Sequence, residues 1–298
     1  MGLLSDIGIH KDFISEVNCD KYLVDSEFCR QFIKGRQKFD HKGTFGHALI
    51  IAGSYGKMGA AVLSARACLR SGVGLLTVNV PKCGYEILQT SVPEAMTDTC
   101  EDVDFGLYSA IGIGPGIGTD ETAIKKVLSL LKYCKQHQDL EPRLIVDADG
   151  LNILSQHKEL IKELPKNTIL TPHPKEFARL FGEFDNDFER LSNQIELSIE
   201  YSIYIIYKIA NTIITTPEGK VFINSSGNPG MATGGSGDVL TGIITGLSAR
   251  GYNPEESCVL GVYLHGLSGD IAAEERGQEA LIAGDIIEAI GKSLKKIK

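Results

Sequence analysis

Apolar and polar positions change rhythm several times along the chain, and each rhythm predicts an element. From His47 to Gly53 the run is short, apolar and closed by glycine, as expected of a strand buried on both faces of a parallel sheet. Ala61, Val62, Ala65, Cys68 and Leu69 then recur at helical spacing until Gly72, and Leu75 to Val80 is a second strand closed by Pro81. The alternation continues with strands near Ala110 to Gly114, Leu144 to Asp147 and Thr168 to Thr171, and with helices near Glu121 to Leu131 and Leu151 to Ser155. Strands separated by helices of this length indicate βαβ units and a parallel sheet covered on both faces.

Later the rhythm shifts. Tyr204 to Lys208, Thr212 to Thr215 and Val221 to Ile223 are strand-like runs crowded together, and Pro217-Glu218-Gly219 between the last two is a turn signal. That pair is expected as an antiparallel hairpin at the sheet edge. Three helices should follow, beginning near Asp238, Pro254 and Gly284. Before residue 40 lie a short apolar segment, Leu3 to Ile9, and a charged helical stretch, Ser26 to Lys38. Residues 1–40 therefore read as an arm or linker, and residues 41–298 as one α/β domain: a central, mostly parallel sheet flanked by helices, with a short antiparallel edge.

Composition narrows the function classes. A net charge of -8 argues against a general binder of nucleic acid or anionic membrane, since both need a basic face. Seven scattered cysteines, with no Cys-x-x-Cys pair, read as reduced, buried thiols rather than a disulfide frame or a zinc site. No apolar run reaches the roughly 20 residues of a membrane span and no leader pattern opens the chain, so a cytoplasmic protein is expected.

The chemistry gathers where strands end. Gly227-Asn228-Pro229-Gly230-Met231-Ala232-Thr233-Gly234-Gly235-Ser236-Gly237-Asp238 is a glycine-rich loop entering a helix. Such a loop offers unpaired N–H groups and the positive end of a helix dipole to an anion. Asp238 would repel that anion unless it has separate work, although an Asp there is equally well explained as a helix cap. Further polar or glycine-rich segments follow the predicted strands: Gly53 to Ala61, Gly112 to Gly118, Asp147 to Asn152 and Thr171 to Glu176. Ligands of open parallel sheets collect beyond the carboxyl ends of the strands, so the convergence is more specific than any one segment. His265, in an otherwise apolar helix, reads as a hydrogen-bonded core histidine rather than a catalyst.

Taken in order, Lys42-Gly43-Thr44-Phe45-Gly46-His47, Gly53-Ser54 with Met58-Gly59-Ala60-Ala61, Gly112-x-Gly114-Pro115-Gly116, Asp147-Ala148-Asp149-Gly150-Leu151-Asn152, Thr171-Pro172-His173-Pro174-x-Glu176 and the loop ending at Asp238 resemble the nucleotide-dependent NAD(P)H-hydrate dehydratases, members of the ribokinase-like superfamily. The resemblance covers roughly residues 40–295. It implies a ribokinase-like fold and repair of the 6-hydroxy form of NADH or NADPH at the expense of ADP or ATP, with Mg2+. By the same resemblance Asp238 is the catalytic acidic residue, and Gly234, Gly235, Ser236 and Gly237 form the anion hole. Ala60, Ala61, Gly114, Gly116 and His173, with Asp238, would contact the hydrated dinucleotide, and Lys208, Ile209, Ala210, Asn211, Thr212 and Gly237 the nucleotide. Asp147, Asn152 and Glu176 would support the site or a Mg2+ ion, with no direct protein ligand to the metal.

One departure stands out: the family's Lys-Gly pair is Lys208-Ile209 here. A β-branched residue does not adopt positive φ cheaply, so either the loop is ordinary or nucleotide affinity is altered. Leu4 to Ile9 resembles the closing strand of the epimerase domain of bifunctional members, which implies an epimerase domain or partner. A homo-oligomer is also expected. The competing readings are a ribokinase-like kinase of a small vitamin precursor or sugar, which would yield a stable phosphorylated product, and a catalytically weak nucleotide-binding protein.

Overall fold

A computed structural model describes residues 19–137 and 143–298, together with residues 8, 10, 16 and 17. The described elements run β1 (Lys21–Val24), α1 (Ser26–Arg30), β2 (His47–Ile51), α2 (Met58–Arg70), β3 (Leu75–Asn79), α3 (Tyr85–Ser91), β4 (Met96–Asp98), β5 (Ala110–Ile113), α4 (Glu121–Gln136), β6 (Arg143–Val146) and α5 (Asp149–Gln156). They continue with β7 (Ile169–Leu170), α6 (Pro174–Phe181), α7 (Asp187–Tyr201), β8 (Tyr204–Tyr207), β9 (Ile213–Thr215), β10 (Val221–Asn224), α8 (Ser236–Ala249), α9 (Pro254–Arg276) and α10 (Ala283–Ile297).

These strands form one sheet in the order β1-β10-β9-β8-β7-β6-β5-β2-β3-β4. Only β9 runs against its neighbours. The expected α/β architecture is present, with one change at its edge. The β9–β10 pair is antiparallel as the turn signal requires, but it lies one strand in, because β1 pairs in parallel with β10 and takes the edge. The stretch before residue 40 thus contributes a strand to the sheet. Its helix is much shorter than Ser26 to Lys38, since beyond Arg30 the chain is held by side-chain ties to the domain: Lys34 Nζ donates to the Gly251 carbonyl and Arg36 Nη2 to that of Gly72. Leu4 to Ile9 lies almost wholly outside the described residues.

Strands β2 and β5 to β8 are apolar almost throughout and buried, because helices cover both faces. Helix α8 is the innermost of them. Every residue from Val239 to Ala249 is buried, so it shows no polar stripe. It can pack tightly on α2 because Gly242 and Gly246 carry no side chain: a Cβ on Gly242 would come within 2.2 Å of the Ser64 carbonyl oxygen. Of the cysteines, Cys29, Cys68, Cys134 and Cys258 are buried, whereas Cys19, Cys83 and Cys100 are exposed, contrary to the expectation of uniformly buried thiols; all seven are free. No helix among the described residues is long and apolar enough to cross a membrane.

Candidate active site

From β2 the chain builds outward through β3 and β4, then returns to place β5 on the other side of β2. That reversal creates a crevice at the carboxyl ends of β2 and β5, where open α/β sheets bind ligands. The segments after β2, β5, β6, β7, β8 and β10 all emerge along this edge.

Helix α8 enters it N-terminus first. Gly235 adopts φ +91° and turns the loop into the helix, with Ser236, Gly237 and Asp238 as its first turn. Their N–H groups have no acceptor within the helix. Beneath them lies Asp147, buried at the end of β6, whose Oδ1 accepts from Lys208 Nζ at 2.7 Å and whose Oδ2 accepts from Thr241 Oγ1 at 2.6 Å. Burial pushes the Asp147 carboxyl up, but Lys208 and the hydroxyls of Thr241 and Thr171 outweigh it and hold the group below its ordinary range. Lys208 Nζ is also 3.9 Å from Glu176 Oε2. Gly237 sits over this cation: a Cβ there would be 3.6 Å from Lys208 Nζ.

Asp238 is half-buried, and its acidic neighbours add to the cost. Burial first, then the charge of Asp147, push its carboxyl up to about 6 against the opposing pull of Lys208, with Asp149 adding to the rise. Glu176 is likewise raised, chiefly by burial. His173 caps α6, its Nδ1 accepting from the N–H groups of Lys175 (3.1 Å) and Glu176 (3.4 Å), while Nε2 lies 3.3 Å from Glu176 Oε1. Burial, then Lys208 and Arg179, lower the imidazole pKa, which favours the neutral ring.

A cavity of about 820 Å³ opens beside the loop, lined by His173, Lys208 to Thr212, Asn224 to Pro229, Met231, Ser236, Gly237 and, on its apolar side, Leu240 and Val262. Ser236 and Gly237 are on its wall, whereas Asp238 is not. The carboxylate lies on the other side of the helix end, with Oδ2 3.9 Å from the Cβ position of Gly235, which faces Leu63 of α2. One turn of helix therefore divides a wall of backbone N–H groups from a carboxylate.

The other expected residues divide in two. Gly116 is half-buried and approaches Ala60, whose Cβ is 3.1 Å from the Cβ position of Gly116, so both border the crevice. Ala61 does not: its side chain is fully buried in the core, because it faces inward from α2 against Gly53. Gly114 is needed for close approach, since at φ +131° a Cβ would lie 1.8 Å from the Asp147 carbonyl oxygen. Asn152 turns away from the Lys208 cluster. Its amide donates to Asp149 Oδ1 (3.2 Å) and its oxygen accepts from Arg179, while Asp149 Oδ2 takes the Gly118 N–H at 2.9 Å and Lys57 Nζ at 3.4 Å. Ala148, between the two aspartates, holds φ +48°, a strained backbone that directs Asp147 inward and Asp149 outward.

Ile209 resolves its own question. Among the described residues the non-glycine positions with positive φ are Ala148, Asn167 and Ser202, so the 208–212 loop takes an ordinary conformation and needs no glycine. Its side chain, 37% exposed, joins the cavity wall. His265 is hydrogen-bonded as expected, its Nε2 3.2 Å from Ser236 Oγ, and it also lines the cavity. Burial lowers its pKa to about 4, so the ring is neutral. One turn on, Asp270 accepts from the Gly227 N–H and from Asn228 Nδ2, both at 2.9 Å. Nothing in the spacing of α9 marks these two residues, because that helix is apolar on almost every face. Among the described residues no group of three or more His, Cys, Asp or Glu side chains is placed to hold a metal ion.

The NAD(P)H-hydrate dehydratase family model matches residues 48–292. The chain is 36% identical to the bifunctional NAD(P)H-hydrate repair enzyme Nnr of Moorella thermoacetica, over 99% of this chain and 58% of that protein. It is also 36% identical to the ADP-dependent (S)-NAD(P)H-hydrate dehydratase of Neisseria meningitidis, over 86% of this chain and 87% of that protein. Among solved structures, the ADP/ATP-dependent NAD(P)H-hydrate dehydratase of Bacillus subtilis, co-crystallized with ATP and Mg2+, superposes with a TM-score of 0.79 at 29% identity, covering 92% of this chain and 98% of that one. The chain thus spans little more than half of the bifunctional relative and most of the single-function ones. The matched region contains all but the first residue of β2, the crevice, the glycine-rich loop and Asp238, and the chain belongs to the NAD(P)H-hydrate dehydratase family.

Proposed function

We propose that this chain converts (6S)-hydrated NADH and NADPH to NADH and NADPH, consuming ADP or ATP. The observation that carries this reading is the division at the α8 N-terminus, with Ser236 and Gly237 on the cavity wall and Asp238 turned away from it. A nucleotide in the cavity would set its terminal phosphoryl group against the N–H groups of Gly234 to Gly237, with Lys208 beneath. The hydrated dinucleotide would enter from the Ala60, Gly116 and His173 side and present its 6-hydroxyl to Asp238.

In that arrangement the hydroxyl oxygen attacks the terminal phosphorus, and the bond to the bridging oxygen breaks. Asp238 takes the hydroxyl proton, and the nucleotide departs one phosphoryl group shorter. Developing charge on the phosphoryl oxygens is met by fixed N–H donors and by Lys208. Phosphate then leaves C6, driven by the ring nitrogen lone pair, and loss of a proton from the adjacent ring carbon restores the dihydronicotinamide. A carboxyl raised to about 6 is ionised at neutral pH yet more basic than an ordinary aspartate.

The donor set fits Mg2+ carried mainly on nucleotide phosphates, since Mg2+ usually takes one or two carboxylates besides phosphate and water. Asp147 and Glu176 would reach it through water, their oxygens being engaged by Lys208, Thr241 and His173. Bound there, the ion would neutralise charge on the transferring group. We place the start of this domain at Lys21 rather than residue 41, on the strength of the β1–β10 pairing. The bifunctional relatives support an epimerase domain or partner as the source of the (S) hydrate.

Incubation with hydrated NADH, Mg2+ and either ADP or ATP should restore the dihydronicotinamide absorbance and release phosphate. A stable phosphorylated product, or nucleotide binding without any turnover of the hydrate, would overturn the reading in favour of a small-molecule kinase or a weak nucleotide binder.

A further inference from the structure

At the opposite edge of the sheet, where β2, β5 and β6 begin, lies a second cavity of about 410 Å³, lined by Gly43, Thr44, Ser109, Arg143, Arg250 and Gly251. It adjoins the C-terminal end of α8, so one helix of 14 residues, about 20 Å long, separates it from the anion loop. Arg36 reaches the same region: its guanidinium lies 4.0 Å from the Phe45 ring centroid and that of Arg250 lies 5.8 Å from it.

Each of these arginines has a structural duty, but among the described residues the charges do not balance. Arg143 Nη1 donates to the Ser248 carbonyl at 2.5 Å, Arg250 Nη1 to that of Ser71 at 2.9 Å and Arg36 Nη2 to that of Gly72 at 2.7 Å. They cap the C-terminal ends of α8 and α2, which together supply roughly one negative charge as two half-charges. Three full positive charges face them, leaving a surplus of about two. No carboxylate among the described residues lies within ion-pair distance of any of the three, in a chain that carries 38 acidic residues against 30 basic ones. Arg250 Nε is moreover buried without a hydrogen-bond partner, so the guanidinium is not fully satisfied by the protein. Two hydroxyls complete the wall: Ser109 Oγ and Thr44 Oγ1 each accept from a backbone N–H, at 3.2 and 3.3 Å, which leaves their own protons to donate.

We propose that this cavity binds a doubly charged oxyanion, either inorganic phosphate or the phosphate of a small monoester, held between Arg143 and Arg250. Guanidinium forks match phosphate oxygens, and the cavity has the volume of a small-ligand site.

The test is calorimetric titration with inorganic phosphate and, separately, with ribose 5-phosphate, on protein saturated with ADP so that the catalytic loop is occupied. One site with a Kd below about 1 mM is expected for at least one probe. Its affinity should fall at least tenfold in Arg143→Gln and in Arg250→Gln, and stay unchanged in Asp238→Asn. Should the arginine variants fail to fold, Ser109→Asp carries the test, because a carboxylate in the cavity should abolish binding. Loss of the signal once ADP is present, or binding indifferent to all three cavity substitutions, would overturn the proposal. So would binding that tracks oligomeric state with protein concentration, which would assign the arginines to a contact between copies.

Discussion

Asp238 is held at an energetic disadvantage by the same surroundings that suit it to accept a proton. Its carboxyl is raised from an ordinary aspartate value to about 6, first by burial and then by Asp147. The folded state therefore keeps a proton between about pH 4 and 6 that the unfolded chain releases, so the group lowers stability as pH rises through that window. Its cost at neutral pH is at most about 3 kcal/mol, from two pKa units at 1.36 kcal/mol each. Asp238→Asn should raise the unfolding temperature at pH 7.5, with the gain vanishing below about pH 4, while turnover of the hydrate falls about 10²- to 10⁴-fold. Thermal melts of variant and wild type across pH beside absorbance assays check both, and a variant that is active, or whose gain over wild type is no larger at pH 7.5 than at pH 4, contradicts the assignment. The wild-type kcat/KM should rise with pH along a limb near 6. Asp147 has the opposite sign: Lys208 holds it below its ordinary range, so its contribution is present at neutral pH and fades as acid protonates it. Lys208→Met leaves that buried carboxylate unpaired and should cost about 3–5 kcal/mol in denaturant unfolding, with Asp147→Asn in the same chain recovering a good part. The glycine-rich loop and its aspartate were legible as residues, but the pairing of Asp147 with Lys208 was not, because 61 positions separate them and only the closed sheet brings them to 2.7 Å.

At the scale of elements, the alternation of apolar runs and helical faces made the parallel sheet readable, since its central strands are short and buried and several are closed by glycine or proline. Helices α6 and α7 escaped that reading. The signal for α6 was present in His173-Pro174-x-Glu176, a capping box with proline in the first turn, in which the His173 N–H donates to Glu176 Oε2 at 2.8 Å. Helix α9 is the more instructive case, because a helix buried on most faces shows no periodicity to mark its working side. That side is His265, Gly266, Gly269 and Asp270. Gly266 lets the loop lie directly on the helix, a Cβ there meeting Ser226 Oγ at 2.3 Å, and Gly269 makes room for Met231. Asp270 then pins Gly227 and Asn228, and His265 meets Ser236, so one helix fixes both ends of the loop. Asp270→Ala removes two hydrogen bonds to a charged acceptor, each worth about 1.5–3 kcal/mol. It should raise the KM for ADP or ATP at least tenfold with a much smaller change in kcat. Asp270→Asn, which retains an acceptor, should recover part of the affinity. An unchanged nucleotide KM in the alanine variant would show that the loop holds its shape without α9.

Considered as a whole, the molecule is closed by the stretch that its sequence presents as an appendage. Charge and irregular composition set residues 1–40 apart, yet the sheet does not end where the apolar alternation ends. Without β1, strand β10 would expose a row of unpaired backbone groups. With it, the Val221 N–H donates to the Asp20 carbonyl at 2.7 Å, Ser225 Oγ donates to that of Val24 at 2.6 Å, and Tyr22 stacks on Phe222 with ring centroids 5.1 Å apart. Val24 and Cys29 are buried in the cluster that also holds Val239, Leu240 and Ile243 of α8, and Phe28, Phe32 and Ile33 pack against it. The edge strand therefore shares a core with the helix that carries Asp238. Full burial of a large apolar side chain contributes about 1.5–3 kcal/mol and partial burial less, so losing this group removes several kcal/mol of the 5–15 kcal/mol stability of a typical domain. A chain begun at His41 should accordingly be recovered aggregated or unfolded, whereas one begun at Cys19 should melt close to the 298-residue chain and keep its turnover of the hydrate. Circular dichroism melts and size-exclusion chromatography of the two truncations decide it. A monodisperse, active protein beginning at His41 would show that the sheet can end at β10, and that the first forty residues are the linker their composition suggests.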